Sequence, residues 1–199
     1  MRSNILLDDL PETVMVDDCR YFIQSDFRVM IRFEQLMQDP TIDNRNRVMA
    51  WLDLFFGKDI PENIQEAIEA TLDFYRCGEP PKKASVKKNG NVEIKPDMIY
   101  DYEHDAPYIF GAFLSQYHID LNDIEYLHWW KFMAMFRSLN SDNKIVEIMG
   151  YRSADLTKIE DKKERSRIAR MKELYALPQS KTREEKIAAA GMAFGGAFM

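Results

Sequence analysis

At 199 residues the chain suits one domain or two small ones, and its 46% apolar residues are enough to bury a core, which excludes wholesale disorder. A net charge of −6 excludes a general electrostatic pull toward nucleic acid. Two cysteines, Cys19 and Cys77, are too few for a disulfide framework or a zinc site, and no apolar run approaches the ~18–20 residues of a membrane span.

Near the start, Val14, Val16, Tyr21 and Ile23 alternate around Asp17-Asp18, which predicts a small hairpin. Asp18 accepts positive φ less readily than the glycine that such turns favour. Ser25 or Asp26 is the expected cap of a first helix carrying Met30, Phe33 and Met37, with Pro40 past its end. A second helix is predicted from about Asn44 to Phe56, stopped by Gly57. A third opens with Pro61 in its first turn and turns Ile64, Ile68, Leu72 and Tyr75 inward.

Residues 79–96 are polar, basic and turn-rich and read as a linker or long loop. Beyond them, Asp105 is the expected cap of a helix containing Ile109, Phe113 and Tyr117. Residues 124–139 form a helix apolar nearly all round, Lys144–Met149 a short one ended by Gly150, and Glu160–Tyr175 a charged one. The expected fold is mainly α with an N-terminal β-hairpin. Its parts are residues 1–78, the linker 79–96, a helical region 97–178 and an apolar flexible tail 179–199 that carries no charge from Ile187 on.

Charge is unevenly spread. Residues 158–186 hold ten Lys/Arg against six Asp/Glu, a local +4, which leaves −10 for the rest and suggests two surfaces that meet different partners or each other. Asp8 and Asp9 follow Ile5-Leu6-Leu7 too soon for a secretory signal, so a reducing cytoplasm is expected.

Catalytic chemistry finds little footing. Asp101, Glu103 and Asp105 surround His104, but a calcium loop begun at Asp101 needs glycine and glutamate where Ala106 and Ala112 stand. These carboxylates are expected at the positive end of a helix dipole instead. His104, His118 and His128 lack nearby cysteines and HExxH spacing, and no nucleophile elbow or phosphate loop is present. No catalytic residue, cofactor or metal is expected. The basic stretch Lys158–Lys172 is interrupted by acids and lacks interleaved aromatics, so a solvated helix face is preferred over nucleic-acid binding. Trp129 and Trp130 point about 100° apart on a helix, which predicts one of them at a partner surface.

Four phrases occur in order. They are Tyr100-Asp101-Tyr102-Glu103 with Asp105-Ala106; Leu127-His128-Trp129-Trp130-Lys131-Phe132; Glu147-Ile148-Met149-Gly150-Tyr151-Arg152; and Leu174-Tyr175-Ala176-Leu177-Pro178. In that order and spacing the chain resembles a family of small bacteriophage and prophage proteins. These are encoded in the tail gene cluster, near the tape-measure gene, in long-tailed phages of Gram-positive hosts. The resemblance covers roughly residues 5–178 and is most specific within 127–152. It departs at two positions: glycine is common where Asp18 stands, and His104 is often another polar residue.

The resemblance implies a tail-assembly chaperone that binds the tape-measure protein in the host cytoplasm and self-associates. It brings no catalytic residue or cofactor. Trp129, Lys131, Tyr151 and Arg152 are the expected partner contacts. The rival readings are a minor structural component of the tail and, more distantly, a nucleic-acid binder using residues 158–172.

Overall fold

The computed structural model describes residues 4–39, 41–80 and 99–177; the expected linker (apart from Glu79 and Pro80) and the apolar tail lie outside them. The fold is mainly α. A hairpin of β1 (Thr13–Val16) and β2 (Cys19–Phe22) precedes α1 (Phe27–Gln38), α2 (Asn44–Phe56) and α3 (Ile64–Tyr75). Then come α4 (Ala106–Tyr117), α5 (Trp129–Arg137), α6 (Lys144–Ser153), a 3-10 turn (Leu156–Lys158) and α7 (Lys162–Leu174). No helix among the described residues is long and apolar enough to cross a membrane.

The chain divides into two compact units. Among the described residues, one holds those up to 80 together with Glu125–Ala134, and the other holds 99–124 and 135–177. Reading by sequence placed 125–134 with the C-terminal region. Its actual place follows from side chains that serve the N-terminal unit, described below.

In the first unit the hairpin pairs Val16 with Cys19, leaving Asp17-Asp18 as a two-residue turn. Both aspartates have positive φ, 48° and 59°, as a turn matching the strand twist requires. Asp26 caps α1, Asp43 caps α2 and Asn63 caps α3, each side chain accepting from a first-turn amide. Pro61 therefore precedes the cap of α3 and is not in its first turn. Gly57, at φ 65°, stops α2 as its sequence predicts. The core is aromatic. Phe33 packs on Trp51 at 4.5 Å, Tyr75 stacks on Trp129 at 5.7 Å, and Phe27 stacks on Phe132 at 4.7 Å. Each such side chain, fully buried, stabilises by roughly 1.5–3 kcal/mol.

The second unit buries Tyr102, Ile109, Phe113, Phe136, Ile145 and Ile148. Two expectations change here. Asp105 sits at the start of α4 but caps nothing with its side chain. And α6 runs through Gly150 to Ser153. Glycine inside a helix costs about 1 kcal/mol against alanine, which packing by Ile145, Ile148 and Tyr151 outweighs. The helix expected over 124–139 is shorter as well. It starts at Trp129, because the amide of Leu127 is taken by the Asp26 carboxylate at 3.0 Å and His128 lies in an extended bridge opposite Asp26.

Candidate functional site

The phrase Leu127–Phe132 is a clasp built into the first unit. Backbone bonds run from the amide of Phe27 to the carbonyl of Leu127 at 2.9 Å and from the amide of Trp129 to that of Ser25 at 2.8 Å. Asp26 serves both sides, since its carboxylate also accepts from the amide of Arg28 at 3.0 Å. The Ser25 and Tyr126 hydroxyls bond at 2.7 Å.

The two tryptophans then do one job. Trp129 Nε1 donates to the carbonyl of Tyr75 at 2.9 Å and Trp130 Nε1 to that of Phe74 at 2.8 Å. A helix leaves its last four carbonyls without intrahelical partners, and α3 ends at Tyr75. Adjacent indoles, splayed by the helix geometry of α5, thus satisfy adjacent carbonyls of α3. The expectation that one tryptophan meets a partner is corrected for Trp129, which is wholly buried. Trp130 is half-buried.

His128 completes the clasp. The Trp130 amide donates to its Nδ1 at 3.0 Å, and its Nε2 lies 3.1 Å from the carbonyl of Pro11. An amide can only donate and a carbonyl can only accept, so the ring is neutral with its hydrogen on Nε2. Burial pushes its pKa down. The Pro11 bond opposes that shift, and Lys131 adds to it.

Within the second unit, Arg152 is the hub. Its NH1 lies 2.5 Å from Asp105 Oδ2 and its NH2 2.9 Å from Asp105 Oδ1, a bidentate pair in which both side chains are buried. Its Nε donates to the carbonyl of Tyr175 at 2.6 Å and NH1 also to that of Ile99 at 3.1 Å. The amide of Asp101 donates to Asp105 Oδ2 at 2.9 Å. Arg152 is therefore an internal fastener, which corrects its expected place at a partner surface.

Tyr151 is buried too. It stacks on Tyr175 with ring centroids 6.1 Å apart, lies under the Arg167 guanidinium at 5.8 Å, and donates its hydroxyl to Glu147. Lys144 at 2.7 Å and that hydroxyl hold the Glu147 carboxyl below its usual range. Of the expected contacts, only Lys131 is exposed.

The acidic cluster is likewise occupied by structure. Asp101 Oδ1 accepts from the amides of Glu103 and His104 at 2.9 and 3.0 Å and lies 3.2 Å from His104 Nδ1. No group of His, Cys, Asp or Glu among the described residues is arranged to hold a metal ion. In the basic stretch, Arg167 is paired with Glu164 and Lys172 donates to the carbonyl of Ala154.

Besides the Arg152–Asp105 pair, sequence reasoning missed the buried contact in which the Tyr75 hydroxyl donates to Glu34. A signal was present, because Glu34 stands four residues after Met30, on the apolar face of α1.

The exposed apolar side chains of the first unit include Leu6 and Leu7 near its start and, on the hairpin, Met15 and Phe22. The register pairs Thr13 with Phe22 and Met15 with Arg20, so these four side chains share one face while Val14, Val16 and Tyr21 take the other. Val16 is buried, whereas Phe22 is 76% and Met15 51% exposed.

A family model described as Bacteriophage Gp15 protein matches residues 6–177. No curated protein and no solved structure matches the chain. The match takes in both units and all four phrases up to Leu177, and the chain belongs to the bacteriophage Gp15 protein family.

Proposed function

We propose that this protein is a tail-assembly chaperone, a non-enzymatic factor that binds the tape-measure protein in the host cytoplasm while the tail is built. The observation that carries the reading is membership of a phage family over residues 6–177. The hairpin supports it. Phe22 and Met15 form a solvent-facing apolar pair on a strand surface, and methionine adapts to irregular helical partners. The buried side chains of Trp129, Tyr151 and Arg152 act by holding the units in shape, and the contact falls to the hairpin face.

The test is co-expression with the tape-measure protein encoded nearby, purified through a tag on this chain. The tape-measure protein stays soluble and co-elutes, and Met15→Ser with Phe22→Ser loses it while keeping the helical circular dichroism spectrum. An insoluble client, with this chain instead present at stoichiometric amounts in purified particles, makes it a structural tail component.

A further inference from the structure

α7 spans thirteen residues without burying one. Ile168 and Met171 are half-buried, so one side rests on its own unit. The other side is exposed, apart from the Arg167 guanidinium that lies over the Tyr151 ring. Lys163, Arg167 and Arg170 recur at spacings of four and three, which puts them on one face, and Leu174, 66% exposed, ends the row. The rise of a helix makes this a stripe about 16 Å long. Glu164 occupies Arg167, but Lys162, Lys163 and Arg170 meet no carboxylate among the described residues.

The first unit carries the opposite sign. Asn63 Nδ2 donates to Asp17 Oδ1 at 2.8 Å and to Glu66 Oε2 at 3.3 Å, and the amide of Asp17 donates to Glu66 Oε2 at 3.1 Å. These bonds tie the hairpin turn to the opening of α3. Asp17, Asp18, Glu62 and Glu69 are exposed around them, and none of these carboxylates, Glu66 included, has a lysine or arginine in ion-pair reach among the described residues.

We propose that α7 of one copy docks on this acidic face of a second copy. Lys162, Lys163 and Arg170 on the one surface and the five carboxylates on the other meet no counter-charge among the described residues, and the two surfaces are complementary in sign. They are different surfaces, so the contact is heterologous and joins copies head to tail, in a ring or an open row. Such a row suits the coating of a long client. The inference nevertheless rests on the charges of this chain alone and stands if the client reading fails.

The test uses the purified full chain without client. Sedimentation velocity is run over a concentration series at about 50 mM and about 500 mM salt, where screening lengths differ severalfold. Assemblies larger than a monomer are expected at low salt and their loss at high salt. Lys163→Glu with Arg170→Glu, and separately Glu62→Lys with Glu69→Lys, should each weaken association at least roughly tenfold, about 1.4 kcal/mol. Mixing the two reversed variants should restore it, because each then offers the face the other has lost. All four positions are exposed, and Gln replacements serve if a reversal disturbs the helical spectrum. A monomer at low salt, assembly insensitive to salt or to both variants, or no restoration on mixing overturns the proposal.

Discussion

Arg152 and Asp105, forty-seven residues apart in sequence, meet through two parallel hydrogen bonds inside one unit. The pair gathers the start of α4, the end of α6 and the carbonyls of Ile99 and Tyr175 around one guanidinium. Removing one partner leaves a charge buried and uncompensated, which costs about 3–5 kcal/mol. Arg152→Ala and Asp105→Ala should each destabilise the protein by that amount in urea titrations. Asp105→Leu with Arg152→Met should lose less than either alone. If the double variant lost the sum of the single changes, the two residues would not be acting as a pair.

The tryptophan clasp makes a second prediction. Trp129→Phe keeps the stacking on Tyr75 but withdraws the indole donor from its carbonyl, leaving only the weak Cys77 thiol donor, and losing such a buried bond costs about 1–3 kcal/mol. Lys131→Ala, at an exposed position, should stay within about 0.5 kcal/mol of the parent. Thermal unfolding of the two variants side by side checks both. Equal effects would remove the clasp from the account.

His128 adds a pH dependence. Its pKa is lowered in the folded protein, first by burial, so the unfolded chain binds the proton more readily. The stabilisation is full above the unfolded value of about 6.5 and is lost as pH falls toward the lower folded value. The slope attributable to this group cannot exceed about 1.4 kcal/mol per pH unit. Urea midpoints of the parent should fall between pH 7 and about pH 5.5. In His128→Gln that part of the slope should vanish, though the variant is less stable at neutral pH. A slope unchanged by the substitution would assign it to other groups.

Two backbone positions should respond to smaller changes. Gly150 lies inside α6, and a methyl group there would meet no atom within 4 Å. Gly150→Ala should raise stability by about 0.5–1 kcal/mol. Asp18, at φ 59°, should gain up to about 1 kcal/mol on replacement by glycine, whereas Asp17→Gly forfeits the bond from Asn63. Melting temperatures of the single variants give the sign of each effect.

Periodicity and caps made most of this chain legible. The hairpin around Asp17-Asp18, the three helices between Asp26 and Gly57 and after Asn63, and the charged last helix all follow from local rules: alternation, 3.6-residue spacing, and short side chains that satisfy free first-turn amides. The phage family, too, was legible from phrases within the sequence. The purposes of those phrases were not. Trp129, Tyr151 and Arg152 looked like surface contacts because spacing cannot reveal what covers a side chain. In the fold they are covered by groups distant in sequence: the carbonyls ending α3, the ring of Tyr175, and the carboxylate of Asp105. Nor could spacing show that Glu125–Ala134 joins the N-terminal unit, since that depends on bonds from Asp26 and Ser25 a hundred residues upstream. Sequence determined the elements, because each is stabilised by neighbours within a turn or two. Tertiary structure decided which polar and aromatic groups are fasteners and which face solvent, because buried donors and acceptors must find partners wherever the chain brings them.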